Sequence, residues 1–261
     1  MKMIKHYFLL LVLAISVVSY AQDESDLAKT AQNPVGDLIS LPLQNNTSFG
    51  LGSYDRTQNV LNIQPVYPIK AGKFNLITRT IFPIITQPDV ASETGSTTGL
   101  GDINFTTFLS PGSPGKFIWG IGPTISIPTA TSDIPGFGRW AFGPSVIALT
   151  ISGPWVAGVL TSNIWSMGGE SDKPDVNFFL LQYFINYNME GGSYLVSAPI
   201  ITNNWEVDDS LILPFGGGIG KILRLGKLPI NANLQAYYNV VTPEGGPKWS
   251  TRIQVQFMFP K

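Results

Sequence analysis

The chain has 261 residues and few charges: only 13% are Asp, Glu, Lys or Arg, and the formal net charge is −1. Soluble domains usually carry about 25% charged residues, and a nucleic-acid partner would require a basic patch that this balance does not supply. The absence of cysteine excludes a disulfide framework and a lipid-modified cysteine. The length suits one large all-β domain or two small ones.

Residues 1–21 have the pattern of a cleaved secretory signal peptide. Lys2 and Lys5 form a charged start, residues 7–18 are apolar, and Ser19-Tyr20-Ala21 has small residues at its first and last positions. The alternative, a membrane-anchor helix, requires about 20 apolar residues, and this run is shorter. Cleavage would leave 14 basic residues, from 16 minus the two lysines, against 17 acidic ones, and would remove His6, the only histidine.

The segment 22–35 is polar, with a weak helical tendency. It predicts either a periplasmic tail or a small plug in the lumen of a barrel. No linker follows it, so residues 36–261 are expected to form one domain.

From Gly36 onward, alternating segments separated by turn residues predict an all-β domain. In Phe117–Ile127, for example, Trp119 and Ile121 share one face, and Gly120 and Gly122 share the other. The twelve predicted strands are 37–44, 59–68, 73–85, 99–109, 117–127, 139–150, 155–165, 176–188, 194–205, 211–221, 229–240 and 249–259.

The predicted connections fall into two alternating classes. Those after even-numbered strands are compact: 69–72, 110–116, 151–154, 189–192 and 222–228. Those after odd-numbered strands are mostly longer and more polar: 45–58, 86–98, 129–138, 166–174, 206–210 and 242–248. Short periplasmic turns and long outer loops are typical of outer-membrane barrels. The pattern therefore predicts a closed antiparallel transmembrane β-barrel with both termini on the periplasmic side.

A soluble β-sandwich or lipocalin-like barrel is the main alternative for such strands. The less apolar faces carry Gly, Ser, Thr, Asn and Gln rather than the Lys and Glu of a solvated surface. Aromatic girdles also require tryptophans near strand ends, and five lie there: Trp119, Trp140, Trp155, Trp165 and Trp205. Both features favour the membrane barrel.

The last predicted strand, Trp249–Phe259, places Ile253, Val255, Phe257 and Phe259 on one face. An aromatic-ended amphipathic strand at the end of an exported chain resembles the C-terminal targeting strand of bacterial outer-membrane barrels, although Pro260 and Lys261 follow it here. This resemblance implies recognition by the barrel-assembly machinery of a Gram-negative cell.

Three short glycine motifs resemble a Gram-negative outer-membrane family named for the meta-pathway of phenol degradation. They are Gly99-Leu-Gly-Asp-Ile103, Trp119-Gly-Ile-Gly-Pro123 and Gly143-Pro144. The resemblance extends from Gly36 to the C-terminus and implies a barrel related to channels for aromatic hydrocarbons and fatty acids. It carries over no binding residues. The long N-terminal hatch of the fatty-acid channels has no counterpart in this sequence.

Enzymatic chemistry is not expected. A mature chain without histidine or cysteine lacks the usual neutral-pH base and the thiol nucleophile. No predicted strand presents two carboxylates at the spacing of a catalytic pair. We therefore expect no catalytic residue, cofactor or metal ion.

The polar faces of the predicted strands supply the candidate lumen residues. They are Arg79, Asp102, Asn104, Thr106, Gln182, Asn186, Asn231, Asn233, Gln235, Arg252, Gln254 and Gln256. One interpretation is a polar conduit in which the charged residues bias permeation. In the other, these side chains pair with one another and fill a closed interior. Twelve strands make a barrel wide enough for either arrangement.

The sequence thus predicts a porin-like outer-membrane transporter for the passive diffusion of small solutes, including aromatic or hydrophobic molecules. Its expected partners are outer-membrane lipid, lipopolysaccharide and the solute, with no nucleic acid. The alternatives are a closed structural or adhesive barrel in the same membrane, and a soluble secreted β-domain.

Overall fold

The computed structural model of the protein describes residues 24–113, 115–131, 134, 136–169 and 173–259. The predicted signal peptide lies outside the described residues, as do Pro260 and Lys261. Across the described part of the chain, no helix has the length and hydropathy needed to cross a bilayer.

The prediction of a twelve-stranded antiparallel barrel is confirmed. Nine barrel strands are continuous, and three consist of two segments each. In chain order the segments are β1 Ile39–Leu51, β2 Arg56–Ile63, β3 Val66–Ala71, β4 Phe74–Pro88, β5 Ser96–Leu100, β6 Ile103–Pro111, β7 Phe117–Ile127, β8 Arg139–Ser152, β9 Trp155–Gly169, β10 Asn177–Asn188, β11 Ser193–Ser197, β12 Ile200–Asn204, β13 Leu213–Leu225, β14 Leu228–Val241 and β15 Trp249–Phe259.

The first and last strands close the ring. β1 pairs with β15 from Ile39 opposite Phe259 to Phe49 opposite Trp249. We call the end of the barrel at the first pair the terminal end, and the end at the second pair the loop end. Closure leaves no long free sheet edge, which a lipid environment requires because it offers backbone groups no hydrogen-bond partners.

The three interruptions occur between β2 and β3, β5 and β6, and β11 and β12. Two of these gaps contain Pro65 and Pro199, and proline cannot donate a hydrogen bond to a β-ladder. Beyond the last gap, β12 contacts the following strand through one isolated bridge, Thr202 to Ile212. The wall is therefore least continuously paired there among the described strands.

The alternation of connections is also confirmed, with different bounds. At the terminal end, β3 and β4, β8 and β9, and β13 and β14 are joined by two-residue turns, with Gly72, Gly153 and Gly226 at positive φ. At the loop end the first connection is shorter than predicted, because β1 and β2 extend to Leu51 and Arg56. The sequence did not predict this extension, because the outward-facing Asn45 interrupts the apolar alternation of β1.

The outer surface of the barrel is apolar. In β15, Ile253 is 53% exposed whereas its neighbour Arg252 is 7% exposed. Exposed aromatic residues lie near both ends, including Phe117 and Trp155 at the terminal end and Trp140 and Trp165 at the loop end. Such aromatic belts around an apolar band characterise barrels embedded in lipid.

The interior is less polar than the sequence suggested. A cluster of buried apolar side chains fills the part of the lumen near the terminal-end turns of β4 to β10: Val35, Ile77, Phe108, Ile118, Ile147, Leu149, Val156, Leu160, Phe184 and Ala198. The opposite wall, formed by β14, β15 and β1, carries amides and Arg252. The lumen therefore has one apolar wall and one polar wall.

A helix over residues 24–31 precedes the barrel. Its Ala28 is fully buried against Leu38, Tyr194, Ile222 and Met258, which face inward from the wall and from the chain entering β1. Small and apolar side chains on one helical face allow this close contact.

Candidate solute path through the barrel

One internal cavity, here called the loop-end chamber, has a volume of about 310 Å³. Its polar side includes Asn104, Thr106 and Ser145, and its apolar side includes Phe178 and Leu180. This volume lies near the lower limit of the ~300–1,000 Å³ typical of small-molecule sites. The chamber thus offers an apolar surface and hydrogen-bonding groups to the same small solute.

The second cavity, the terminal-end chamber, has a volume of about 140 Å³. Ala31, Gln32 and Pro34 of the N-terminal segment line it together with wall residues such as Arg252. The segment is tied to the wall by two amide hydrogen bonds, since Gln32 and Asn188 donate to each other at 2.9 and 3.0 Å. The N-terminal segment therefore borders the path on its terminal side.

Four residues line both chambers, and we call them the shared ring: Gln44, Arg79, Leu160 and Gln182. They come from β1, β4, β9 and β10, which lie on different sides of the barrel. These four residues therefore lie where the two chambers adjoin. The positive charge of the shared ring comes from Arg79.

Arg252 is held on three sides. Its Nε donates to Oδ1 of Asn46 at 3.0 Å, and its Nη1 donates to the carbonyl oxygen of Ala198 at 2.8 Å. The guanidinium carbon also lies 5.5 Å from the ring centroid of Tyr237. Because Ala198 lies in the gap between β11 and β12, this arginine braces the interrupted strand.

Asp102 lines the loop-end chamber, but its carboxylate already has partners. Oδ1 accepts the backbone N–H groups of Thr129 and Ala130 at 3.1 and 3.0 Å, and Oδ2 accepts that of Phe137 at 2.6 Å. Asp102 therefore fixes the loop between β7 and β8. The sequence did not indicate this role.

The amides of the polar wall form hydrogen bonds with one another. Asn231 accepts a bond from the Tyr194 hydroxyl at 2.6 Å and donates to Gln256 at 3.1 Å. Gln235 donates to Asn233 at 2.7 Å and accepts from the Tyr237 hydroxyl. These amides therefore line the cavities, as a polar conduit would require. Several of them also pair with each other, as expected for a closed interior.

The structure places every candidate lumen residue on the inner wall. Arg79, Asp102, Asn104 and Gln182 line the loop-end chamber, and Arg79, Gln182, Asn231, Asn233, Gln235, Arg252 and Gln254 line the terminal-end chamber. That they bind a solute stays a prediction.

Gln64 and the apolar wall residues Leu160, Phe178 and Leu180 also line the loop-end chamber, which the sequence did not indicate. Their positions follow from strand parity: Leu180 lies two residues from the inward-facing Gln182. In β9 and β10 both faces are largely apolar. Alternation alone therefore does not separate the inner face from the outer face there.

Comparison with known proteins shows the same architecture in a solved membrane channel. No protein-family model matches the chain, and no curated protein matches it. The chain is similar to the COG4313 outer membrane channel from Pseudomonas putida F1, with a TM-score of 0.64 and 18% identity, over 87% of this chain and 97% of that chain. At this identity the likeness concerns the fold.

Two further outer-membrane structures are more distant. They are outer membrane phospholipase A from Escherichia coli, with a TM-score of 0.46 and 14% identity over 90% and 98% of the two chains, and the Pseudomonas putida toluene transporter TodX, with a TM-score of 0.41 and 8% identity over 88% and 92%. These similarities are too weak to indicate an activity. The resemblance predicted from the sequence is thus confirmed for the outer-membrane barrel fold.

Proposed function

We propose that the protein is an outer-membrane channel through which small molecules, including aromatic or apolar ones, diffuse passively. The observation that carries this proposal is the pair of chambers that both have the shared ring in their lining, each with polar and apolar side chains. An apolar wall gives a hydrophobic solute a favourable surface, and the facing amides accommodate its polar groups. Passive diffusion requires no cofactor, in keeping with the sequence.

The outer surface supports a location in the outer membrane. Exposed aliphatic side chains such as Ile121, Val146 and Ile253 lie between the two aromatic belts. Basic residues including Lys70, Lys73 and Lys116 are exposed near the terminal end, where lipid phosphates are suitable partners. We assign the terminal end to the periplasm. Secretion by a cleaved signal, contact with lipopolysaccharide and recognition of β15 by the barrel-assembly machinery belong to the same proposal.

A closed structural barrel is the second candidate, and the N-terminal segment favours it. Ala28 and Val35 are buried inside the barrel, so the terminal end is filled in this conformation. Transport would then require the segment to move. The absence of enzymatic activity stays a prediction based on the missing histidine and cysteine.

Planar-bilayer recording and liposome flux with the purified protein discriminate between these functions. A channel produces ion conductance, and an aromatic solute that enters the loop-end chamber reduces the current reversibly. No current and no solute flux, from protein that is shown to be folded by its heat-modifiable gel migration, would instead identify the closed barrel.

A further inference from the structure

Two arginines face the lumen without a carboxylate partner within ion-pair distance among the residues that the structure describes. Arg79 donates from Nη2 to Oε1 of Gln64 at 2.5 Å. A guanidinium has five N–H donors, and the bonds found between described residues use one of those of Arg79. A charge inside the membrane is costly to bury, so charged residues there usually mark a solute or ion path.

The one acidic candidate nearby does not neutralise this charge. Asp102 lines the same chamber as Arg79, but its two oxygens accept three backbone N–H groups of the loop between β7 and β8. The region around the shared ring therefore has a positive charge, with Arg79 as the contact available to a solute. Arg252 adds a second positive charge to the terminal-end chamber while bracing Ala198.

Arg79 lines the same chamber as residues of the apolar wall. Arg79 belongs to the shared ring, together with Leu160, whereas Phe178 and Leu180 line the chamber on its loop-end side. A molecule whose apolar body lies against these side chains can place a negatively charged head at Arg79. Guanidinium and carboxylate form paired, charge-assisted hydrogen bonds that a neutral head cannot form.

We propose that the shared ring is a binding site for the carboxylate of a small amphiphilic monoanion, whose apolar body occupies the loop-end chamber. Arg79 binds the carboxylate, and the charge of Arg252 attracts it from the terminal side. The substrate class of the channel is then a carboxylate on an aryl or short alkyl body. This inference rests on the proposed function insofar as solutes must reach the chambers from solution.

Equilibrium binding to the full chain in lipid nanodiscs tests the site without requiring transport. The probes are benzoate and benzyl alcohol, which are similar in size and differ in charge. We expect benzoate to bind about tenfold more tightly, because charge-assisted hydrogen bonds are roughly twice as strong as neutral ones. Arg79→Gln should remove this difference, and Arg79→Lys should retain part of it.

Lys116→Gln is the matched control, because Lys116 is an exposed residue of the terminal-end turn between β6 and β7. It removes the same charge outside the lumen and should leave both affinities unchanged. If benzoate binds no more tightly than benzyl alcohol to the unmodified protein, the proposal is wrong, and this comparison needs no variant. Benzoate binding that survives Arg79→Gln also overturns it.

The proposed channel function and the proposed carboxylate-binding site can be contradicted independently. Selective benzoate binding without conductance or flux would contradict the channel and leave the anion site in place. Conductance with equal affinity for the two probes would contradict the anion site and leave the channel in place.

Discussion

At the scale of single residues, Asp102 shows how a charged side chain in the lumen can hold a loop of the barrel in place. Its carboxylate accepts the backbone N–H groups of Thr129, Ala130 and Phe137, and Phe137 lines the loop-end chamber. Three N–H donors satisfy the charge where water is scarce. Asp102 is therefore a positioning residue for the loop between β7 and β8.

Replacing Asp102 by Asn leaves a single acceptor oxygen and removes the charge. We expect local opening of the loop to become on the order of 10- to 100-fold more frequent, because each hydrogen bond to a charged group contributes about 1.5–3 kcal/mol. Hydrogen–deuterium exchange of a peptide containing Phe137 measures this. Asp89→Asn, which alters a different loop, is the control. Unchanged exchange at Phe137 would show that the carboxylate does not hold the loop.

Gly220 illustrates a residue whose role the sequence did indicate. The glycine run Gly216-Gly-Gly-Ile-Gly220 lies within a predicted strand and opens no helix, so it indicates a close approach by a neighbouring group rather than a phosphate cradle. In the structure, a Cβ added at Gly220 would overlap the ring of Tyr194. The partner could not be named from the sequence, because the ring comes from a separate segment, β11.

At the scale of elements, the strands could be predicted and their interruptions could not. The alternation of apolar and less apolar residues predicted all twelve strands, because the outward-facing residues are apolar in most of them. The predicted strands 59–68 and 194–205 continued through Pro65 and Pro199, where the structure has gaps. At the gap beside Pro199, the structure also has an inter-strand contact that no local pattern shows, the bond from Arg252 to Ala198.

The extension of β1 was missed for another reason. Asn45, Thr47 and Asn59 break the apolar alternation on the outer face, yet their side chains are hydrogen-bonded to each other at 2.9–3.2 Å. Such mutual pairing lowers the cost of exposing polar groups towards lipid.

If the barrel is a channel as proposed, its conductance depends on the N-terminal segment, which fills the terminal end. With cysteines at Gln32 and Asn188, a short reversible thiol cross-linker would fix the segment to β10, in a chain that contains no other cysteine. We expect cross-linking to reduce conductance to the level of the bare bilayer, and reduction to restore it, because the segment fills the terminal end.

A matched cross-link between cysteines at Thr86 and Thr98 joins two wall segments whose hydroxyls are 2.9 Å apart. It should leave the current unchanged, since the N-terminal segment remains free to move. Equal currents before and after cross-linking of the 32/188 pair would show that solutes pass without displacing the segment.

At the scale of the whole molecule, the mixed lumen was the least predictable feature. The sequence indicated inward amides correctly, because polar alternation is clear in β14 and β15. The apolar wall arises where both faces of β9 and β10 are largely apolar, so only closure of the ring decides which face is internal. The apolar wall borders the loop-end chamber, and the N-terminal segment borders the terminal-end chamber.

The orientation of side chains in β15 is the most direct test of the account, because the membrane location and the lumen both depend on it. Nitroxide labels placed singly at Ile253, Gln254, Val255 and Gln256, in protein reconstituted into lipid vesicles, report collisions with oxygen dissolved in lipid and with a water-soluble relaxant. We expect oxygen to reach the labels at 253 and 255 and to reach those at 254 and 256 much less. Equal access of the water-soluble relaxant to all four labels, or high oxygen access at 254 and 256, would contradict the barrel in its membrane.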